Sequence, residues 1–127
     1  MLLLFLFFWK RSLNKINSNT YISVDNLEVV DAISIDLKGN AVLTISDHLK
    51  WDNVKEHLYI LQSKINVYVR FIESGDIYQQ YPKAEGRNIV IHVAALFEPN
   101  SDTKKLLHIT GQTLQSAGYG FLFEYAK

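Results

Sequence analysis

Two alternating stretches joined by three residues constrain this chain most. Val30 to Leu37 (VDAISIDL) places Ile33, Ile35 and Leu37 on one face, with Ser34 and Asp36 on the other. Ala41 to Asp47 (AVLTISD) resumes the alternation with Ala41, Leu43 and Ile45 inward. A period of two marks a strand buried on one face. Lys38-Gly39-Asn40 between them reads as a tight turn, because Gly39 can take a positive φ. The pair predicts a β-hairpin.

After the connector His48-Leu49-Lys50-Trp51 the apolar spacing changes. Leu58, Leu61, Ile65, Tyr68 and Ile72 recur at steps of three and four, which keeps one helical stripe on the core. Asp52 or Asn53 is expected to cap this helix, and Gly75 to stop it. Asp76 to Arg87 (DIYQQYPKAEGR) reads as a loop. Asn88 to Leu96 (NIVIHVAAL) is a third strand with Ile89, Ile91, Val93 and Ala95 on one face. Ser101 or Asp102 is expected to cap a second helix that faces the core with Leu106, Ile109, Thr113 and Leu114. Gly111 inside that helix weakens it by up to about 1 kcal/mol relative to alanine. Gly118 ends it, and GFLFEY (120–125) forms the last strand. The order is β-β-α-β-α-β. One rich apolar face per strand implies an α+β two-layer sandwich, a four-stranded sheet with two helices on one face.

The 127 residues suffice for one domain with a real core. Met1 to Trp9 (MLLLFLFFW) is an apolar leader followed by Lys10 and Arg11, and 13–20 (LNKINSNT) is a polar linker, so the domain is expected over 21–127. At about 1.5 Å per helical residue the leader covers less than half of a roughly 30 Å hydrocarbon core. Its charges follow the apolar run and no small-residue cleavage site appears, unlike a secretory signal. Three readings stand: a dispensable tail or a start placed too early, a membrane-interface foot, or a helix packed on a protein surface.

The whole chain has zero formal charge. Without Lys10, Arg11 and Lys15 it carries ten basic against thirteen acidic residues. That balance, with no basic stripe, argues against nucleic-acid binding. The absence of cysteine excludes disulfides, thiolate catalysis and cysteine–zinc sites, and fits a reducing cytoplasm.

Few residues invite chemistry. Ser46, Asp47 and His48 are adjacent in a strand, so they alternate faces and cannot form a local relay. The plainer reading is a strand end leading into a helix cap. His57 follows nine residues after His48. No HExxH or second cluster completes a metal site, and no cofactor is expected. His92 sits on the strand face opposite Ile91 and Val93, and there it is an ordinary surface residue unless a partner covers it. His108 is expected to face solvent. Trp51 either plugs the sheet end or anchors a partner. Tyr78, Tyr81 and Arg87 flank a loop able to shape a groove, against the plainer reading of a packed loop. Gly118-Tyr119-Gly120 precedes a strand rather than a helix, so it is no phosphate cradle.

The segments VDAISID, TISDHLKW, EHLYILQSKIN, FIESGDIYQQYP, GRNIVIHV and GYGFLFEY resemble a family of small bacterial proteins known only as a domain of unknown function. The resemblance runs from about Asp25 to Tyr125. It implies a compact bacterial cytoplasmic domain with no assigned reaction, cofactor or catalytic residue. Some small acidic domains of this kind are immunity partners of toxins, which offers an analogy only.

The leading expectation is therefore a non-enzymatic module that binds a basic protein partner, with Trp51, His48, Tyr78, Tyr81 and Arg87 as candidate contacts. The alternatives are a small enzyme with a site near Asp47, His48 and His57, and a membrane-attached accessory protein held by residues 1–11. An exposed mixed sheet face is able to support a homodimer, though nothing in the sequence requires one.

Overall fold

The computed structural model describes residues 23–27 and 29–126. The apolar leader and the linker lie outside the described residues. Four strands and three helices follow: β1 (Ala32–Ile35), β2 (Ala41–Asp47), α1 (Val54–Glu73), α2 (Asp76–Gln80), β3 (Ile89–Ala95), α3 (Ser101–Ser116) and β4 (Gly120–Tyr125). A single turn of 3-10 helix, Pro82–Ala84, separates α2 from β3. The chain is mixed α+β, and the β-β-α-β-α-β frame holds with α2 added to it.

The sheet order is β1-β2-β3-β4. β1 and β2 pair antiparallel, as the hairpin requires. Gly39 takes φ +87°, and Asp36 Oδ1 accepts from the N–H of Lys38 at 2.9 Å and of Asn40 at 2.8 Å, which fixes the turn. These bonds hold the exposed Asp36 carboxyl below its ordinary range, the Asn40 N–H first among them. β2, β3 and β4 run parallel, because α1 and α3 each carry the chain back before the next strand.

One sheet face is closed. Leu43, Ile45, Ile91 and Val93 are fully buried against Leu61, Ile65, Tyr68 and Phe71 of α1 and Leu114 of α3. The other face, with Val42, Thr44, Val90, His92, Leu122 and Glu124, is half-buried to exposed.

Four local expectations need correction. β1 stops at Ile35, and Leu37 lies fully exposed in the turn. The 76–87 stretch is α2 and the 3-10 turn rather than loop, with Ile77 and Ala84 buried. Asn100, not Ser101 or Asp102, caps α3: its side chain accepts from Thr103 N at 2.8 Å. Finally, α3 turns Thr103, Leu107 and Leu114 inward, leaving Leu106 48% and Ile109 55% exposed. Gly111 accounts for that rotation. A Cβ there would stand 3.0 Å from the Phe121 ring, so the helix packs its glycine on β4. Among the described residues no helix is long and apolar enough to cross a membrane.

Candidate functional site

In sheets of parallel strands, sites form beyond the carboxyl ends, where connectors diverge. Here those connectors are 48–53 and 96–100. Asp47 is the last residue of β2 and points inward, buried to 1% exposure. His57, in the first turns of α1, is buried beside it, with Nε2 at 2.8 and 2.7 Å from the two carboxylate oxygens. Its Nδ1 lies 3.1 Å from the carbonyl oxygen of Lys50. Asp47 Oδ1 also accepts from Leu49 N at 3.2 Å.

Trp51 closes this centre. Its ring stacks on His57 with centroids 3.5 Å apart and planes 18° from parallel. Its indole N–H donates to the Phe97 carbonyl at 3.0 Å, tying one connector to the other.

Both nitrogens of His57 face oxygen acceptors, and one ring face is covered by indole. A general acid or base must reach the reacting group with a free nitrogen. Neither nitrogen is free. The arrangement braces the sheet end. Among the described residues no cluster of three or more His, Cys, Asp or Glu side chains is placed to hold a metal ion.

The sequence-derived candidates fall at two ends of the sheet. Trp51 joins Asp47 and His57, while His48 next to them is exposed. Tyr78, Tyr81 and Arg87 lie at the opposite end, beside the amino end of β3. Arg87 donates from Nε to Lys83 O at 2.7 Å and from Nη1 to Gly39 O at 3.0 Å, so it ties the 82–87 turn to the hairpin. Tyr78 and Tyr81 pack half-buried on the core.

Two polar groupings escaped the sequence reading. Lys64 is wholly buried in α1, with Nζ 2.5 Å from Asn26 O and 2.8 Å from Val29 O. Asp31 Oδ1 lies 2.8 Å away, as a charge contact rather than an aligned hydrogen bond. Asp31 Oδ2 accepts from Ser46 N at 2.9 Å. The Tyr68 hydroxyl accepts from Asp31 N at 2.7 Å and donates to Thr44 O at 2.6 Å. Burial pushes the Lys64 ammonium below its ordinary value, and Asp31 offsets part of this. Burial, then the Asp31 charge, pushes the Tyr68 phenol well above its ordinary range. The signal was present: Lys64 and His57 occupy the apolar stripe of α1.

On the open face, Thr44 Oγ1 lies 3.2 Å from His92 Nδ1, and His92 Nε2 lies 2.8 Å from Glu124 Oε1. This hydroxyl–imidazole–carboxylate order matches a nucleophile relay. However, the flanking backbone N–H groups serve the strand ladders, and a relay also needs donors for the developing oxyanion. It serves as a cross-strand polar row.

The model of one family, described as a family of unknown function (DUF6572), matches residues 22–127. The chain belongs to that family. No curated protein and no solved structure matches the chain. The DUF6572 match begins one residue past the expected domain start at Tyr21 and leaves out the leader.

Proposed function

We propose that this DUF6572 chain is a non-enzymatic protein-binding module of the bacterial cytoplasm, engaging a basic protein partner at the carboxyl rim of its sheet. One observation carries the reading. Asp47 and His57 spend their polar atoms internally, and the brace they form with Trp51 holds Leu96 and Phe97 outward, 53% and 38% exposed. Adjacent large apolar side chains exposed on a rigid rim suit a protein contact. Lys50 lies 5.8 Å from the Phe97 ring centroid, and exposed His48 completes the rim. The acid excess from residue 21 onward favours a basic partner and speeds encounter more than it adds affinity.

The test is affinity capture from native lysate with the full chain and its Leu96→Asp/Phe97→Asp variant. The reading predicts one stoichiometric basic protein, released as salt rises and absent from the variant. A partner retained by the variant, or no partner at all, contradicts it.

A further inference from the structure

The edge of the sheet at β4 carries a different inference. No other described strand pairs with β4 beyond β3. Ala126 N donates to Ala95 O at 3.1 Å, so the even-numbered residues of β4 direct their backbone groups at β3. Alternation then points the N–H and C=O of Phe121, Phe123 and Tyr125 outward. Exposed edges are usually blunted by lysine, proline or a bulge. GFLFEY has no lysine and no proline, and its pairing with β3 runs without a bulge from Gly120 to Tyr125.

The side chains of Phe121, Phe123 and Tyr125 turn toward the helices. With the outer flank of α3, namely Lys104, His108 and Gln112, they line an open groove of about 400 Å³. The unpaired edge and the groove lie side by side, as strand addition requires.

We infer that β4 pairs antiparallel with β4 of a second copy, centred on Phe123, to make a continuous eight-stranded sheet. The strand is complementary to itself in that register. The outward backbone groups at 121, 123 and 125 are symmetric about 123, so Phe121 meets Tyr125, Phe123 meets its own counterpart, and each pair exchanges two hydrogen bonds. Aromatic side chains then face aromatic side chains on the groove side, a favourable cross-strand pairing. On the open face Leu122, 46% exposed, meets Glu124, so no like charges stand opposite each other. Such an isologous contact closes at two copies and removes both edges.

The test is sedimentation of the full chain across a concentration series. Wild type is expected to be dimeric. Leu122→Glu places carboxylates opposite Glu124 in both halves of the pair and is expected to weaken the dimer at least tenfold. Adding Glu124→Lys restores opposite charges and the dimer with them. Ser34→Lys, on the same open face but on β1, leaves association unchanged. A wild-type monomer overturns the inference. So does a dimer indifferent to Leu122→Glu, or one lost equally in Ser34→Lys, since that dimer would lie elsewhere on the molecule. Phe123→Pro removes one outward N–H while sparing the donors to β3. A folded Phe123→Pro that dimerises like wild type also overturns it.

Discussion

Tyr68 and Lys64 make the interior of this domain sensitive to alkali in opposite directions. Lys64 has a lowered folded value, so the native state sheds that proton first. Its contribution makes stability rise with pH over the window that ends at the ordinary 10.5. Tyr68 has a raised folded value. Its contribution is complete below the ordinary 10.0 and is lost as pH climbs above it, because the unfolded chain ionises while the native phenol cannot. One such proton is worth about 1.4 kcal/mol per pH unit. Tyr119, raised by burial and then by its bond to Glu73, acts in the same sense at a more exposed position. Urea unfolding from about pH 9 to 11 should show wild type losing stability more steeply above 10 than Tyr68→Phe. Equal slopes would remove Tyr68 from the account. Lys64 in the apolar stripe of α1 was the one sign of this in the sequence; its partners were not legible, because Asp31, Thr44 and Tyr68 meet only once the hairpin lies under α1. The same holds for Asp47 and His57. Strand alternation ruled out a relay among neighbours, which is sound local reasoning. The partner of Asp47 came from the first turns of the following helix.

Elements were more legible than their faces. The period of two located β2 and placed β3 and β4 to within a residue, and the spacing of three and four found α1, since burial of one face imposes those repeats directly. The caps were nearly right. Asn53 Oδ1 accepts from Glu56 N at 3.1 Å, as one of two expected residues. The face of α3 was misjudged because Leu106 and Ile109 look like core, whereas the close packing of Gly111 on Phe121 sets the rotation. Gly75 tests the reading of a helix end. It takes φ +85° after the last turn of α1, its N–H donates to Ile72 O at 3.0 Å, and open space surrounds it. Gly75→Ala should therefore cost about 1–2 kcal/mol through backbone conformation alone. Gly75→Asn should cost less, since asparagine tolerates that region. Equal losses in thermal unfolding would point to a lost contact instead.

For the whole molecule, the crossovers from β2 to β3 through α1 and from β3 to β4 through α3 run in the same sense and place both helices on one face, and this leaves an open face, a β4 edge with no described strand beyond it and a rim at the strands' carboxyl ends. The sequence carried the two layers but not the strand order, because pairing depends on contacts distant along the chain. It therefore could not separate Trp51 from Tyr78, Tyr81 and Arg87, which the strand directions send to opposite ends. On the proposed function, Asp47 and His57 form a closed brace beneath a binding rim rather than a working acid–base pair. Diethyl pyrocarbonate labelling of the native full chain, read residue by residue by mass spectrometry, distinguishes the two. Exposed His48 and His108 should be modified promptly, with His57 protected until the chain unfolds. Modification of His57 in the folded chain as fast as His48 would show that the brace is open and return the site to acid–base chemistry.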